Sequence, residues 1–289
     1  MNFPSSEPGA GSPRAADYRT PERTIGPVAR RFPSLVFYLK LLKIVFDAGQ
    51  TARRGAYSGR DWIRSSRRTL EALESVGVRA TVEGTANFIG LESPVVFAAN
   101  HMSVLETFIL PGIIRPHRKV TFVAKRELLA YPAFGPVLAS RRPIVVARRD
   151  PRRDLETVLR EGKQRLRAGI SVIVFPQNTR LPYLDPASFN SLAVKLARRG
   201  GVEVVPVALQ TAAWGTGRRL RDFGRISPGI PVRIIFGEAI PVRGNGREAQ
   251  EELVGFISRR IGSIRDGYSQ ENQFSSKISA TVPRPRTTT

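Results

Sequence analysis

The sequence of 289 residues contains no cysteine and only two histidines. Without cysteine, the protein has no disulfide, no thiolate zinc site, no iron–sulfur cluster and no cysteine nucleophile. Two histidines leave little material for a histidine-based metal site. We therefore expect chemistry that needs neither a metal nor a bound cofactor.

Long apolar runs are also missing from this chain. No stretch reaches the roughly 18 to 20 consecutive apolar residues that a membrane-spanning helix needs. Residues 1–31 are rich in proline, serine, glycine and arginine, and they lack the apolar centre of a secretory signal. These features predict a protein that stays on the cytoplasmic side of the membrane.

Acidic residues are scarce, because 24 aspartates and glutamates face 46 lysines and arginines, which leaves a net charge of +22. Such an excess indicates an anionic partner, which is nucleic acid, a lipid surface or a phosphorylated substrate. Charge alone does not choose among the three. The sequence has no nucleic-acid-binding motif, and Tyr131 and Phe134 do not alternate with a basic stripe. No nucleic-acid partner is expected, and a basic nucleic-acid-binding protein is kept only as a distant alternative.

The chain divides into two polar tails and a folded body. Residues 1–31 and 267–289 are polar and proline-bearing, which predicts disordered tails. Residues 32–77 form a predicted N-terminal helical segment, in which the apolar residues of 32–46 recur at helical spacing. This helix could lie in a bilayer interface or pack on the domain core, and periodicity does not distinguish the two. Residues 78–266 form the predicted α/β domain.

Short β-branched runs alternate with helical stretches along most of the chain. The predicted strands cover 78–83, 95–99, 120–124, 144–147, 171–175, 204–208 and 232–236. The predicted helices of the body cover 60–76, 105–114, 152–168, 191–199 and 248–264. Continuous apolar strands that alternate with helices indicate an α/β fold with a mainly parallel central sheet flanked by helices.

Ligands of such sheets bind beyond the carboxyl ends of the strands, so the residues after each predicted strand are candidates for a functional site. They include one histidine, several cations and two side-chain amides: His101, Lys125, Arg126, Arg148, Arg149, Gln177, Asn178 and Arg180. A histidine is suited to take a proton from a hydroxyl near neutral pH. Lysine and arginine side chains bind phosphate oxygens. The combination predicts proton abstraction from a hydroxyl of a phosphate-bearing substrate.

Glu106 follows His101 by five residues, and its role has two interpretations. The carboxylate could hold the imidazole if His101 lies on the turn before the helix, because five residues along a regular helix differ in direction by about 140°. Ser103 and Glu106 also match a capping box, with Ser103 as the N-cap residue. In that case Glu106 only stabilises the start of the helix, and the spacing leaves both roles open.

Four sequence blocks resemble those of the PlsC-type glycerolipid acyltransferases, the 1-acylglycerol-3-phosphate acyltransferase family, over about residues 60–264. His101 and Glu106 are similar to the family's His-x4-Asp motif. The other three blocks are residues 123–128 with Pro132, Phe134 and Gly135, then 175–180, and then 205–208. Four blocks in the family's order are far more specific than any one of them alone.

The resemblance implies an O-acyltransferase of phospholipid biosynthesis. In it, His101 would be the general base that deprotonates the acceptor hydroxyl for attack on an acyl thioester, and Glu106 would fix the imidazole. Substrate contacts would fall on the second and third blocks: Lys125, Arg126, Gln177, Asn178, Thr179 and Arg180. The donor would be acyl-CoA or acyl-carrier protein and the acceptor a lysophospholipid, and the reaction needs no cofactor.

The family is membrane-associated, which favours an interfacial position for the helix over residues 32–46. The resemblance therefore implies a peripheral or monotopic protein on the cytoplasmic face of the inner membrane, in contact with anionic lipids.

The sequence departs from the family pattern at two places. Glu106 replaces the usual aspartate and adds one methylene, which keeps the acid–base logic. Gln177 and Asn178 replace Glu-Gly; asparagine tolerates positive φ, but glutamine carries no negative charge, so the loop is more cationic. An acyltransferase acting on a non-glycerophosphate lipid is therefore an alternative. The same base could also serve an acyl-ester or thioester hydrolase, and a lipid-binding protein without catalysis would keep the basic surface and not need His101.

Overall fold

The computed structural model describes residues 17–177, 179–181, 185–217 and 220–262. The strands are β1 (Tyr18–Arg19), β2 (Ala80–Glu83), β3 (Val96–Ala99), β4 (Val120–Lys125), β5 (Ile144–Val146), β6 (Ser171–Val174), β7 (Val204–Gln210) and β8 (Val232–Phe236). The helices are α1 (Pro27–Arg31), α2 (Pro33–Arg53), α3 (Gly59–Glu74), α4 (Ala86–Ile89), α5 (Leu105–Ile114), α6 (Phe134–Ser140), α7 (Pro151–Arg167) and α8 (Leu192–Gly200). Residues 247–262 are also helical and are labelled α9. Two 3₁₀ turns cover Arg126–Ala130 and Pro186–Ser188.

The strands form one sheet in the order β1-β2-β8-β7-β3-β6-β4-β5. Neighbouring strands are parallel except in the pairs β1–β2 and β7–β8. The predicted mainly parallel sheet is confirmed, and all seven predicted strands are present to within two residues at each end. Strands β3 and β6 are buried along their whole length. Such burial is typical of parallel strands that are covered by helices on both faces.

Alternate residues of the central strands face two different helix layers. Phe97 belongs to a core that includes α2, α3 and α5, whereas Val96 and Ala98 belong to a core with α7, α8 and α9. The alternation is the two-residue period of a strand. Five adjacent strands, β7, β3, β6, β4 and β5, run in parallel, so their carboxyl ends form one edge of the sheet.

The five predicted helices of the body correspond to α3, α5, α7, α8 and α9. The last helix was predicted to end at residue 264. Residues 263–264 lie outside the described residues. Helices α4 and α6 were not predicted, because helices of four and seven residues are too short to show a helical period.

The N-terminal segment is more ordered than its composition suggests. Strand β1 pairs with β2, and α1 begins at Pro27, so the prediction of a disordered tail over residues 1–31 is wrong for 17–31. The buried carboxylate of Glu74 provides the reason, since it accepts hydrogen bonds from the hydroxyls of Tyr18 and, at 2.9 Å, Thr20. Residues 1–16 and the predicted tail over 267–289 lie outside the described residues.

Helix α2 packs on the domain core with one face and exposes apolar residues on the other. Its inner face is part of the core, where Phe37 and Leu41 are buried. Its outer face exposes an apolar stripe, in which each side chain is more than half exposed: Leu35, Leu39, Leu42 and Phe46. No helix within the described ranges is long and apolar enough to cross a membrane. The stripe therefore lies along the surface of a helix whose other face is fixed to the domain.

Candidate active site

The site begins at the carboxyl end of β3, where the chain turns sharply into α5. Asn100 is fully buried in this turn, and its side-chain amide donates to the carbonyl oxygen of Leu209 at 2.9 Å. The Asn100 Oδ1 accepts from the Leu209 N–H at 2.8 Å. These two bonds join the turn to β7, so the residue that follows, His101, starts from a rigid backbone.

Glu106 is completely buried beside the turn, and its two carboxylate oxygens have different hydrogen-bond partners. Oε1 accepts hydrogen bonds from the backbone N–H groups of Met102 at 2.7 Å and Ser103 at 2.8 Å, and from the Thr211 hydroxyl at 2.6 Å. Oε2 is hydrogen-bonded to Nδ1 of His101. A buried carboxylate is tolerated only when partners replace its lost hydration. Glu106 therefore stabilises the turn and contacts the imidazole at the same time.

The predicted capping box is only partly present. Val104 is the N-cap residue of α5, so the assignment of the N-cap to Ser103 is wrong by one position. The Ser103 hydroxyl instead accepts from the Leu105 N–H at 3.2 Å. Because Glu106 reaches back past the N-cap to the N–H groups of two earlier residues, it supports the whole turn that carries His101.

The imidazole of His101 is enclosed on two sides and open on a third. Its side chain is 19% exposed, and its ring stacks on Phe175 with 4.4 Å between ring centroids. An ionised carboxylate can only accept hydrogen bonds, so the Nδ1 that faces Glu106 carries the hydrogen of the neutral ring. Nε2 then has the free lone pair, which is the tautomer that a general base needs.

The third sequence block lies partly beneath the histidine. Gln177 is 1% exposed, and its Oε1 accepts from the backbone N–H of His101 at 2.8 Å. The N–H of Leu181 donates to the carbonyl oxygen of His101 at 2.9 Å. Gln177, predicted to contact substrate, thus fixes the backbone of the histidine from inside the protein. Thr179 is exposed, and Asn178 lies outside the described residues.

A group of cations surrounds Lys125 at the end of β4. Partial desolvation lowers the pKa of Lys125, and the positive charges of Arg148, Arg180 and Arg221 lower it further, against the opposite effect of Glu127. Several positive charges that lie near one another attract anions. The predicted Lys125 and Arg180 therefore lie near enough to influence each other electrostatically. Lys125 and Arg126 are both exposed, and Arg126 begins a 3₁₀ turn.

Arg148 belongs to this group, and the sequence identified it only together with Arg149, as a cation after a strand. It has a left-handed backbone with φ of 55°, which costs a non-glycine residue about 1–2 kcal/mol. The carboxylate of Asp154 offsets this strain by accepting from the N–H groups of Ala147 at 3.0 Å and Arg148 at 2.8 Å. The position of Arg148 after a predicted strand indicated a role in the site. Two adjacent arginines follow that strand, however, and the sequence did not show which of them contributes.

Asp222 is a second residue that sequence reasoning missed. Its Oδ1 accepts from Nη2 of Arg180 at 2.5 Å, and its Oδ2 accepts from the hydroxyl of Tyr131 at 3.3 Å. Asp222 lies in the long connection between β7 and β8, outside every sequence block, and no local pattern indicates it.

Comparisons with known proteins agree with this fold. Residues 79–210 match the family model described as Acyltransferase. The chain is 32% identical over 177 residues to the 1-acyl-sn-glycerol-3-phosphate acyltransferase of Pseudomonas aeruginosa, which covers 61% of this chain and 65% of the relative. It is 31% identical over 169 residues to a 1-acyl-sn-glycerol-3-phosphate acyltransferase of Chlamydomonas reinhardtii, covering 58% of this chain and 48% of that protein. The chain thus spans less than two thirds of the length of these relatives.

A solved structure shows the same architecture. The crystal structure of the 1-acyl-sn-glycerophosphate acyltransferase PlsC from Thermotoga maritima aligns with a TM-score of 0.61 and 21% identity, over 82% of this chain and 97% of that one. The likeness to that structure shows the α/β fold. Over residues 79–210 the chain is similar to the acyltransferase family, and its relatives and structural neighbour support the resemblance of its sequence blocks to the PlsC-type acyltransferases.

Proposed function

We propose that this protein transfers a fatty acyl group from a thioester, acyl-CoA or acyl-carrier protein, to the hydroxyl of a lysophospholipid-type acceptor. The observation that carries the proposal is the buried Glu106 carboxylate on Nδ1 of His101, which leaves Nε2 as a base at the carboxyl edge of the sheet. The names of the relatives, which are 1-acyl-sn-glycerol-3-phosphate acyltransferases, support this substrate class.

The proposed reaction uses His101 twice. Nε2 takes the proton of the acceptor hydroxyl as the oxygen attacks the thioester carbonyl, and Glu106 stabilises the imidazolium that forms. The tetrahedral intermediate then collapses, the carbon–sulfur bond breaks, and Nε2 returns the proton to the departing thiolate. The proton and the acyl group are balanced, and the histidine is regenerated in its starting tautomer.

The cations supply the binding site for the acceptor's phosphate in this proposal. Lys125, Arg148 and Arg180 lie close enough to influence the same ionisation, and a phosphate dianion would relieve their repulsion. The exposed Arg126 and Thr179 are proposed to contribute from the rim.

A panel of acceptors tests the function. We expect purified protein, offered labelled acyl-CoA or acyl-carrier protein with 1-acylglycerol 3-phosphate and further lysolipids, to form a product whose mass equals acceptor plus acyl group. The mass also identifies the acceptor. Release of free fatty acid with every acceptor would instead support the hydrolase alternative, and no reaction with any thioester would contradict both.

Replacing Lys125 with alanine is expected to raise KM for 1-acylglycerol 3-phosphate about tenfold or more, because losing a hydrogen bond between charged groups costs about 1.5–3 kcal/mol. Steady-state kinetics over a range of acceptor concentrations measures the change. Lys195→Ala is the matched control, since Lys195 is exposed on α8, in the helix layer on the opposite face of the sheet from α2. An equal rise in KM for a lysolipid without phosphate would show that Lys125 does not recognise phosphate.

We further propose that α2 binds the protein to the surface of an anionic membrane on the cytoplasmic side. The double substitution Leu39→Ser and Leu42→Ser is expected to weaken sedimentation with anionic vesicles at least about tenfold, because each leucine contributes about 1.5–3 kcal/mol when it leaves water. Both side chains are more than half exposed, so the thermal unfolding midpoint should change little. Unchanged sedimentation would assign membrane binding to the basic surface alone.

Substitution is a sharper test of α2 than deletion. Removing the helix would also remove Phe37, Leu41 and Ile44, which are buried in the core. Loss of membrane binding in such a truncated chain would therefore not separate lipid contact from unfolding.

A further inference from the structure

The guanidinium of Arg180 is already occupied by a carboxylate of the protein itself. Its partner Asp222 lies at 2.5 Å, and the side chains of Arg180 and Asp222 are only 17% and 23% exposed. Tyr131 holds the other oxygen of Asp222 at 3.3 Å. Asp222 occupies Nη2 of Arg180 and places a negative charge beside the guanidinium, so it competes with an acceptor phosphate for this side chain.

The segment that carries Asp222 also presents apolar side chains to solvent. Leu220 is 67% exposed and Phe223 is 51% exposed, so Asp222 lies between two apolar residues of the surface. Arg221, next to them, is exposed and contributes a positive charge. Apolar side chains interleaved with a cation are typical of segments that enter the interface of an anionic membrane.

The same segment is fixed to α2, the helix with the exposed apolar stripe. The Tyr38 hydroxyl donates to the carbonyl oxygen of Gly224 at 2.5 Å, and the ring of Tyr38 lies 5.7 Å from that of Phe223. The N–H of Ile226 donates to Ser34 Oγ at 3.0 Å. Residues 220–226, which we call the Asp222 segment, therefore lie beside the surface that we propose to face the lipid.

We propose that Asp222 is an exchangeable counter-ion of Arg180, released when the Asp222 segment enters a lipid surface. Leu220 and Phe223 move into the interface, Asp222 leaves Arg180, and the phosphate of a membrane-embedded acceptor takes its place. The inference rests on the proposed function for the identity of the anion. It assigns the segment a second role, which is to keep the phosphate site closed until the protein meets lipid.

Asp222→Asn is the first test, because asparagine keeps the shape and removes the charge that competes with phosphate. We expect it to bind 1-acylglycerol 3-phosphate, dispersed below its micelle concentration, at least about fivefold more tightly than the unmodified protein. Equilibrium dialysis measures this binding without turnover. Glu251→Gln is the matched control, since it removes the carboxylate of an exposed ion pair with Arg247 on α9 and should leave the binding unchanged.

Leu220→Ser tests the coupling to lipid. This variant is expected to lose at least about fivefold of the activity on acceptor embedded in anionic vesicles, while binding of the dispersed acceptor is unaltered. Tyr131→Phe, which removes only the hydroxyl on the second oxygen of Asp222, should shift binding in the same direction as Asp222→Asn but by less. The Tyr131→Phe variant therefore still tests the proposal if Asp222→Asn does not fold.

The opposite result identifies Asp222 as a positioning residue for Arg180. Weaker or unchanged binding of the dispersed acceptor by Asp222→Asn and Tyr131→Phe would overturn the proposal, and so would equal losses on dispersed and embedded acceptor in Leu220→Ser. Failure of the proposed function can be distinguished from failure of this inference. A protein that binds the acceptor but transfers no acyl group would show no turnover, while the variants would still shift the affinity for the acceptor.

Discussion

His101→Ala is expected to abolish acyl transfer, lowering kcat by about 100-fold to 10,000-fold, which is the range that general-base catalysis supplies. Nε2 is the atom that would take the acceptor's proton, and alanine has no group to replace it. Thioester consumption and product mass at saturating acceptor measure the loss. Vesicle binding should persist, because the contacts of His101 are with Glu106, Phe175 and Gln177, and none of these belongs to the apolar stripe of α2.

The alanine substitution also leaves Oε2 of Glu106 without its partner. An unsatisfied buried polar group costs about 1–3 kcal/mol, so we expect a lower unfolding midpoint in addition to the loss of activity. His101→Gln separates the two effects, since the glutamine amide can donate to the carboxylate but cannot act as a base. Equal inactivity of both variants with a more stable glutamine protein would support the mechanism, whereas full turnover in either would exclude it.

Glu106→Gln is expected to lower kcat by a similar factor, about 100-fold to 10,000-fold, while the protein still folds. The environment of Oε1 contains three hydrogen-bond donors, so it selects the carbonyl oxygen of the glutamine. The amide NH₂ must then face Nδ1 of His101, which becomes an acceptor. The ring hydrogen moves to Nε2, and the nitrogen that should take a proton already carries one.

Thr211→Val is the matched control for this experiment. It removes one of the donors to Oε1 and leaves the bond between Oε2 and His101 in place. We expect a loss of stability without the large loss in kcat. NMR of the imidazole nitrogens would report the tautomer directly, and an unchanged tautomer in Glu106→Gln would contradict the explanation even if activity fell.

The fold was predictable because its signals are local. Parallel strands that are buried on both faces appear as short continuous apolar runs, and amphipathic helices appear as a 3.6-residue period. The strand at 232–236 shows the limit of this information. Its residues predicted a strand, but only the structure showed that β8 is antiparallel to β7 and parallel to β2, since partner and direction depend on residues elsewhere in the chain.

The site was predictable in kind and incomplete in detail. The position of His101 after β3 and the cations after neighbouring strands followed from the rule that parallel strands end at one edge. Arg180 was identified, but its partner Asp222 lies 42 residues further along and has no local signature. Arg148 was recognised as a cation after a strand. Only the structure showed that Arg148 lies near Lys125 and lowers its pKa.

The sequence by itself determined the α/β class, the order of the strands along the chain, and a histidine and cations that follow neighbouring strands, because each depends on neighbouring residues. Only the tertiary structure showed that Glu106 both stabilises the turn and contacts His101. Its Oε1 accepts a hydrogen bond from Thr211, which is 105 residues away in the chain. The tertiary structure also decided that residues 17–31 are ordered, and that one face of α2 is buried while the other is exposed. The physical reason is the same in each case: a buried carboxylate, a paired strand and a half-buried helix are defined by partners that are distant in the chain and adjacent in space.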